Sequence, residues 1–426
     1  MIKYILNIMI KNINELSITE KRKQLLEILD FGLEETKTSH VLGLSLKREG
    51  SKFSVQGNEF NLDKYKKILI LGIGKASGEG CQVLEKLLHD KIDAGLCIDV
   101  QERDFNIIVL TIGTHPNSSE KNFSFTQNAI SMFENLAEDD LLITIISGGG
   151  SALFCYPYET ECIAEVELFK ELTKKGANIQ EINTIRKHLS LVKGGGLAKI
   201  AYPATIISLI FSDVPSNDIS FVASGPTVKD STKVEDARKV LEKYDIPYKG
   251  DFFETPKEDK YFKKVHNFLL CSGKTTLNEM LKKAKEMNLP AVIFKSDFQE
   301  DADITGKILL ENAKGGELLL AAGETIVKIR GDGKGGRNQE LALSALNYIN
   351  EGDIVISCAS DGYDNTESAG AIADAETLKK AQEQNLDIQK YLDNNDSFNF
   401  FTITKDQIMT GKTGLNVSDI FLVYKK

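Results

Sequence analysis

Short apolar runs alternate with amphipathic stretches along most of the chain. The runs have strand length and fall at residues 68–71, 95–100, 106–110, 141–146 and 205–211, and again at 268–271, 291–294, 317–321, 325–329 and 354–358. Residues with helical spacing separate most of them, as in the stretch from Glu20 to Thr36. This alternation indicates βαβ units and mostly parallel pairing, and ligands bind beyond the carboxyl ends of such strands.

The segment at residues 227–264 interrupts this pattern. It is rich in Lys, Asp and Glu, contains Pro247 and Pro256, and has one helical pattern near residues 234–244. At 426 residues the chain also exceeds the size at which one hydrophobic core usually stops growing. We therefore predict two α/β domains with their boundary in this segment.

Composition and charge narrow the functional classes. A formal net charge of -10 argues against a nucleic-acid partner, because a nucleic-acid backbone requires a basic face. The six cysteines include no C-x-x-C pair, which argues against a structural zinc site. Most of them lie in apolar stretches, as is typical of buried thiols in a reducing cytosol.

Residues 1–10 place a lysine before an apolar run, like the start of a secretory signal. Asn7 and Lys11 interrupt the run and no small-residue cleavage site follows, so we expect an N-terminal extension or a first helix. No stretch reaches the ~18 apolar residues of a membrane-spanning helix. We predict a cytoplasmic protein that does not contact membranes.

The stretch from Gly323 to Asn350 joins a predicted strand, a glycine-rich loop and an amphipathic helix. Residues 325–330 alternate β-branched and charged side chains, and the loop at 331–336 leads directly into Arg337. A helix N-terminus favours anions through its unpaired N–H groups, and Lys334 and Arg337 add positive charge there. The pattern predicts a phosphate site, with a tight turn and a solvated arginine as the alternative.

A second glycine loop, Gly72-Ile73-Gly74-Lys75-Ala76-Ser77, follows an apolar run. It resembles a dinucleotide fingerprint, for which Asp99 would be the ribose acceptor. Ser77 in place of the third glycine, and Lys75 where bare backbone is needed, weaken that interpretation. Lys75 suits a phosphate-binding cation at a helix start, and a plain strand-to-helix turn is the alternative.

A third loop, Ser147-Gly148-Gly149-Gly150-Ser151, also follows an apolar run. Three consecutive glycines cost chain entropy, so we expect backbone that approaches a ligand and forms a phosphate-sized nest. Ser151 would suggest a nucleophile, but no G-x-S-x-G elbow surrounds it. We expect His115 and His188 to be surface or satisfied histidines rather than general bases.

Two aspartates follow strand ends near these loops. Asp213 comes after the run at 205–211, and Asp361 after the run at 354–358. Mg²⁺ takes one or two carboxylates and leaves its other positions to water and phosphates. Turn-forming aspartates are the alternative. Glycine loops, cations and aspartates together indicate phosphoryl transfer.

Taken in order, these segments resemble the class-II glycerate 2-kinases, the MOFRL-containing family whose members also carry the name hydroxypyruvate reductase. The matching motifs lie within residues 20–423 and are Gly74-Lys75-Ala76, Ser147-Gly148-Gly149-Gly150-Ser151-Ala152, residues 183–190, Lys193-Gly194-Gly195, Ser212-Asp213-Val214, Ala223-Ser224-Gly225-Pro226-Thr227, Gly323-Glu324-Thr325, Gly335-Gly336-Arg337-Asn338-Gln339-Glu340, Ser360-Asp361-Gly362 and Thr413-Gly414-Leu415-Asn416-Val417. The chain departs from the family at residues 215–217, where glycine and acidic residues are usual, and at Leu415, where threonine is usual.

The resemblance implies an α/β fold with a Rossmann-like N-terminal domain of mostly parallel sheet at residues 1–240. A smaller MOFRL-type α/β C-terminal domain would follow at residues 241–426, with the active site in the cleft between them. The implied enzyme is a kinase that uses ATP and Mg²⁺ to phosphorylate the 2-hydroxyl of D-glycerate, giving 2-phosphoglycerate and ADP. In the family pattern Lys75 and Arg337 are the catalytic pair.

The remaining site residues are expected to contact phosphate or substrate, and they are Gly74, Ser147, Gly148, Gly149, Gly150, Ser151, Arg186, Lys193, Gly335 and Gly336. Asp213 and Asp361 are the candidate metal ligands. One rival is an NAD(P)H-dependent hydroxypyruvate reductase, suggested by the loop at Gly72 and by Asp99. The other is a non-catalytic nucleotide-binding protein. The expected partners are ATP and a small hydroxy acid. A homodimer is possible, and the sequence does not decide the oligomeric state.

Overall fold

The computed structural model describes residues 8–159, 162–214 and 218–426, without the side chains of Cys162 and Ile163. Its contacts divide the chain into two units. Among the described residues, the parallel-sheet unit comprises those within 41–212 and 218–270, and the mixed-sheet unit those within 8–40, 213–214 and 271–426. The domain boundary predicted after residue 240 stays a prediction, and the division between units falls at Leu270 and Cys271.

In the parallel-sheet unit a small antiparallel sheet precedes the main sheet. The small sheet consists of β1 (Leu46–Glu49), β2 (Lys52–Val55) and β3 (Asn58–Asn61). The main sheet has the order β6-β5-β4-β7-β8-β9, and its strands are β4 (Lys67–Ile73), β5 (Ala94–Asp99), β6 (Ile108–Ile112), β7 (Asp140–Ile146), β8 (Thr205–Ser212) and β9 (Val265–Ser272).

The order of these strands creates a switch point at the centre of the sheet. β4 pairs in parallel with β5 on one side and with β7 on the other, so the chain winds outward in both directions from β4. In doubly wound sheets of this kind, ligands bind at the carboxyl ends of the strands that flank the switch point. The loops that follow β4 and β7 therefore occupy the favoured ligand position.

Helices follow most strands of this unit. They are α4 (Ser77–Leu88), α5 (Glu120–Phe133), α6 (Gly150–Leu153), α7 (Cys162–Lys174), α8 (Ile179–His188), α9 (Gly196–Ile200) and α10 (Val234–Lys243). Earlier in the chain lie α1 (Ile13–Leu16), α2 (Glu20–Glu35) and α3 (Thr38–Ser45). Strands β4 and β7 are buried on both faces, which explains why they read as continuous apolar runs rather than alternating ones.

The mixed-sheet unit is built on a sheet in the order β10-β11-β15-β12-β13-β14. Its strands are β10 (Ala291–Phe298), β11 (Leu318–Gly323), β12 (Ile354–Cys358), β13 (Gly370–Asp374), β14 (Gln407–Ile408) and β15 (Asp419–Tyr424). β10 and β11 are parallel, whereas β15 runs antiparallel to both of its neighbours. The helices are α11 (Gly273–Glu286), α12 (Ala302–Asn312), α13 (Arg337–Ala345), α14 (Ala375–Glu383), α15 (Ile388–Asp393) and α16 (Ser397–Thr404).

Helices cover both faces of this sheet. Leu318 and Leu320 of β11 pack in one core with α2 and α11, whereas Leu319 and Ala321 pack in another with α12 and α13. Because side chains of a strand point alternately to the two faces, one strand serves both cores. This confirms the α/β fold class that the sequence predicts, and it places the early helix α2 in the mixed-sheet unit.

Several predicted elements differ from the observed ones. Residues 325–329 do not form a strand, since only Ile326 makes an isolated bridge, to Asp301. Of the predicted first helix at residues 1–10, the described residues 8–10 are not helical, although Ile10 is buried, and α1 begins only at Ile13. The predictions about residues 1–7 and 215–217 lie outside the described residues. Within the described part, no helix is both long enough and apolar enough to cross a membrane.

Candidate functional site

The loop after β4 and the loop after β7 interlock at the switch point. Gly74 has φ +112°, and a Cβ there would lie 2.3 Å from the hydroxyl oxygen of Ser147. The Ser147 hydroxyl accepts the N–H of Ala76 at 3.1 Å, and the Lys75 N–H donates to the carbonyl of Gly148 at 3.0 Å. The two loops therefore fix each other and hold half-buried Lys75 just before α4.

The glycines of the second loop make room for neighbouring groups. Gly149 has φ +77°, and a Cβ there would lie 3.2 Å from Cγ of Lys75 and 3.1 Å from Cδ2 of His115. A Cβ on Gly150 would lie 2.5 Å from Cβ of Ala223. The glycines are thus required for close approach, and the side-chain stem of Lys75 passes beside Gly149.

A strained turn supports this loop from the other side. Ala223, Ser224 and Gly225 have φ values of 50°, 59° and 62°, a region that residues other than glycine rarely adopt. Ser224 donates to the side-chain carbonyl of Asn183 at 2.8 Å, and its oxygen lies 2.9 Å from the hydroxyl of Ser151. Such strain persists where the surroundings enforce it, and it is concentrated at functional sites. Ser151 is therefore part of a hydroxyl–amide chain rather than of a nucleophile–base pair.

An open pocket of about 450 Å³ lies beside Ser151. Its lining residues are Pro116, Asn117, Ser118, Ser151, Ala152, Glu165, Val166, Phe169, Lys170, Thr173, Lys174 and Arg186. The Arg186 guanidinium lies 4.6 Å from the ring centroid of Phe169. Burial lowers the pKa of Arg186, and it raises the pKa of Glu165, which the nearby charges of Lys193 and Arg186 oppose. An anion in this pocket would offset the cost of burying the positive charges of Arg186 and Lys193.

The other polar candidates of this unit have internal partners. Asp99 is fully buried and accepts the N–H of Gly78 at 2.8 Å, and burial raises its pKa to about 6. Its carboxylate is therefore engaged by the start of α4 rather than turned to a ribose. His188 is also fully buried, with ring nitrogens 2.9 Å from the carbonyl of Phe253 and 3.1 Å from the hydroxyl of Thr232. This confirms His188 as a satisfied histidine, and His115 is exposed, as expected of a surface histidine.

The glycine-rich loop at residues 331–336 is packed against protein rather than left open. The N–H groups of Arg330 and Gly331 donate to the side-chain oxygen of Asn395, and the Gly333 N–H donates to the carbonyl of Asn394. A Cβ on Gly333 would lie 2.4 Å from that same carbonyl oxygen. These glycines are needed because the loop lies directly on residues 394–397, a contact that the sequence does not show.

The start of α13 already has an anion, and it comes from the chain itself. The Asp364 carboxylate accepts the backbone N–H groups of Asn338 at 3.0 Å and Gln339 at 2.9 Å. A Cβ on Gly336 would lie 2.1 Å from the carbonyl oxygen of Asp364. A buried carboxylate of the chain itself thus caps the N–H groups of Asn338 and Gln339. A phosphate contact at the preceding glycines stays a prediction.

Arg337 is held by two carboxylates. Its Nε donates to Asp419 at 2.5 Å and its Nη2 to the other oxygen of Asp419 at 3.2 Å. Its Nη1 and Nη2 lie 3.3 Å and 3.1 Å from the oxygens of Glu324. Burial would lower the pKa of Arg337, but the two carboxylates outweigh it and raise the pKa well above the usual range. The alternative of a merely solvated arginine is wrong, and the sequence pattern missed Asp419 as a partner.

The candidate metal ligands lie beside one loop of the mixed-sheet unit. The Asp213 carboxylate is 3.5 Å from the amide nitrogen of Asn416, and Asp361 accepts the N–H of Tyr363 at 3.0 Å. The Thr413 N–H donates to the carbonyl of Asp361 at 3.3 Å. Among the described residues, no three His, Cys, Asp or Glu side chains are grouped to hold a metal. One or two carboxylates fit Mg²⁺, which keeps water and phosphate oxygens as its other ligands.

Related proteins were found by sequence and by structure. A family model described as a domain of unknown function (DUF4147) matches residues 24–251, and the MOFRL family model matches residues 317–419. The chain is 35% identical to a glycerate 2-kinase of Pyrococcus horikoshii, over 89% of this chain and 91% of that protein. It is 34% identical to a D-glycerate 2-kinase of Thermotoga maritima, over 85% of this chain and 91% of that protein. The crystal structure of a glycerate kinase from Thermotoga maritima superposes with a TM-score of 0.81 at 30% identity, covering 96% of this chain and 100% of that one.

Proposed function

The chain belongs to the glycerate 2-kinase family, and we propose that it transfers the γ-phosphoryl group of ATP to the 2-hydroxyl of D-glycerate. In this reaction the bond between the γ-phosphorus and its bridging oxygen breaks, and ADP leaves with that oxygen. A bond forms between the phosphorus and the 2-hydroxyl oxygen, whose proton is released to water, and the product is 2-phosphoglycerate. The observation that supports this most directly is the pair of interlocked loops at the switch point, which hold Lys75 at the carboxyl ends of β4 and β7.

Lys75 and Arg337 are the cations that we assign to the transferred phosphoryl group. Negative charge spreads over the phosphoryl oxygens in the transition state, and fixed cations stabilise it more strongly there than in the ground state. Each residue is held in its own unit, Lys75 through the backbone of the two loops and Arg337 through its side chain by Asp419 and Glu324. The proposal requires that Lys75 and Arg337 each act in turnover rather than in folding.

The loop residues would bind phosphate or substrate through backbone groups. Gly74 and the residues from Ser147 to Ser151 supply such backbone around Lys75. For Gly335 and Gly336 a direct phosphate contact stays a prediction. The two glycines are also tightly packed, since a Cβ on Gly335 would lie 2.2 Å from the Ser397 hydroxyl.

The pocket beside Ser151 suits the acceptor. We assign the carboxylate of the hydroxy acid to Arg186, which lines this pocket, with Lys193 as a second, buried cation near the pocket residue Glu165. The Arg186 guanidinium lies 4.6 Å from the ring centroid of Phe169, and a guanidinium can bind both oxygens of a carboxylate. This assignment predicts that acceptors without a carboxylate are poor substrates.

We propose that Mg²⁺ binds together with the nucleotide. Asp213 and Asp361 would hold it, and when bound the ion neutralises phosphate charge. The carboxylates themselves would keep the nucleotide phosphates at the mixed-sheet unit.

A coupled assay of ADP release with D-glycerate tests the proposed function. Steady release that depends on both substrates supports it, and ³¹P NMR of the product distinguishes 2-phosphoglycerate from 3-phosphoglycerate. No turnover with any three- or four-carbon hydroxy acid would overturn it. Nucleotide binding by calorimetry without product would favour the non-catalytic rival. The reductase rival is disfavoured because Asp99 is engaged by α4, and we expect no hydroxypyruvate-dependent oxidation of NADH or NADPH.

A further inference from the structure

The two carboxylates that hold Arg337 differ in their surroundings. Asp419 is the first residue of β15, and its side chain is 3% exposed, whereas the side chain of Glu324 is 37% exposed. Asp419 takes Nε and Nη2, which form the inner edge of the guanidinium. Glu324 takes Nη1 and Nη2, which form its outer edge.

Strand pairing explains this difference. In the antiparallel pair of β11 and β15, Gly323 is the register partner of Asp419, so Glu324 lies just beyond the paired end of β11. β15 also pairs with β12, from Ile420 onward, so Asp419 begins a strand that lies between two others, and its side chain is buried. One carboxylate is thus part of the sheet, and the other is on a longer side chain at its rim.

The outer edge of Arg337 is the edge that a phosphoryl group would use. A guanidinium binds two oxygens of a carboxylate or of a phosphoryl group through parallel N–H donors, so the two anions compete for one position. The inner edge stays bound to Asp419 in either case.

We propose that Glu324 is a placeholder, whose carboxylate occupies the outer edge of Arg337 until a phosphoryl group of the nucleotide displaces it, while Asp419 positions the arginine throughout. This inference rests on the proposed function, in which Arg337 binds the transferred group. It makes Glu324 a residue that lowers nucleotide affinity and Asp419 a positioning residue for turnover.

The exposure of each pair fits its role. Ion pairs on the surface contribute little free energy, so a partly exposed Glu324 exchanges readily for a better anion. A buried pair is strongly destabilised by the loss of one partner, so Asp419 keeps its hold on Arg337. Before the nucleotide arrives, Glu324 also offsets part of the positive charge of the arginine.

Glu324→Gln tests the placeholder, because it keeps the size of the side chain and removes its charge. We expect the KM for ATP and the calorimetric Kd for ATP to fall about two- to fivefold, the range for the loss of an exposed competing ion pair. Asp419→Asn should lower kcat by about tenfold to a hundredfold with a smaller change in KM, because the guanidinium of Arg337 is then held less firmly in position.

Asp90→Asn is the matched control. Asp90 binds Arg48 through both oxygens, at 2.5 and 2.8 Å, in the parallel-sheet unit and away from the loops described above. Its kinetic constants should equal those of the parent. Melting curves of all three variants separate loss of fold from loss of function.

A KM or Kd for ATP that rises or stays unchanged in Glu324→Gln overturns the placeholder, because Glu324 would then help nucleotide binding or take no part in it. If Asp419→Asn does not fold, the Glu324→Gln result alone decides. The Kd for ATP is measured without the acceptor. Absence of turnover by the parent with D-glycerate therefore counts against the proposed function, whereas a wrong shift in Kd counts against the placeholder.

Discussion

The loop from Ser147 to Ser151 and the loop at residues 331–336 are both rich in glycine, and both lie next to a cation of the candidate site. In the first, the glycines bring backbone close to the stem of Lys75 at the carboxyl ends of parallel strands. In the second, they bring backbone against residues 394–397, and protein acceptors take several N–H groups.

The two loops differ in the source of the anion that lies next to them. At the start of α13 the chain supplies its own carboxylate, Asp364, and the adjacent arginine is bound by Asp419 and Glu324. A glycine loop with a basic residue thus has two uses, one as a ligand loop and one as a packed support for a side chain. Substitutions at the two loops should therefore fail in different ways.

The largest effect is expected at the cation of the ligand loop. Lys75→Ala should lower kcat by about a hundredfold to a thousandfold, the scale for loss of one group that stabilises developing charge. Its fold should be retained, because the side chain is only half-buried. Steady-state kinetics with a melting curve measure both, with Lys91→Ala on the same unit as the control. Near-parental kcat would exclude Lys75 from the chemistry.

The cation of the packed loop should show a comparable but smaller loss. Arg337→Lys keeps the charge and removes the planar fork, so we expect kcat to fall by about a hundredfold, with a much smaller rise in the KM for ATP. The melting temperature should also fall by a few degrees, because buried Asp419 loses one of its two hydrogen bonds to the arginine. A variant with parental kcat would make Arg337 a structural residue.

One methyl group in each loop makes the comparison direct. Gly149→Ala should lower kcat by about tenfold, because its Cβ would displace Lys75 and the backbone has φ +77°. Gly333→Ala should act on stability instead and cost about 1–3 kcal/mol, because its Cβ would lie 2.4 Å from the carbonyl oxygen of Asn394.

Urea unfolding and initial rates on both glycine variants separate the two outcomes. If Gly333→Ala loses turnover as strongly as Gly149→Ala while its stability is unchanged, the second loop is a ligand loop as well. The distinction drawn above would then be wrong.

The smallest effect on turnover is expected at Glu340 in the first turn of α13. Burial raises the pKa of Glu340 to about 7, which the charge of Arg330 opposes, whereas an unfolded glutamate has a pKa of ~4.3. The folded state therefore keeps a proton that the unfolded chain releases, so this stability is complete at low pH and is lost as the pH rises through about 7. Glu340→Gln should flatten this fall in the free energy of unfolding.

Urea unfolding at a series of pH values measures that slope. Glu311→Gln, on the exposed side of α12, is the control and should leave the slope unchanged. An unchanged slope in Glu340→Gln would mean that Glu340 is ionised in the fold at neutral pH.

Buried parallel strands were the part of the fold that the sequence predicts best. β4 and β7 are apolar on both faces, so their runs are continuous and their following loops mark the switch point. Residues 325–329 have the alternation of a strand, but Ile326 and Ile329 are 56% and 80% exposed and no ladder forms there. Periodicity shows which faces a segment would have, but it does not show whether a neighbouring strand is available.

In the candidate site, too, the features set by local sequence could be predicted, and those set by distant partners could not. Lys75 and the glycines around it follow from local spacing, because the strand, the loop and the helix are contiguous in the chain. The partners of Arg337 depend on the pairing of β11 with β15, and Asp364 reaches α13 from a distant loop. The hairpin strand β2 carries only two buried apolar side chains, Phe53 and Val55, which is too short a pattern to recognise.

The early helix α2 has a consequence for synthesis on the ribosome. Its Arg22 is completely buried, with hydrogen bonds to both oxygens of Asp374 and to Asp406 in the same unit. Asp374 lies 352 residues later in the chain, which corresponds to roughly 20–70 s of translation. During that interval Arg22 has no carboxylate partner, although the apolar face of α2 meets α11 and β11 earlier, once residues 273–323 have been made. The nascent chain must therefore carry the arginine of one of its first helices unpaired until almost the last strands emerge.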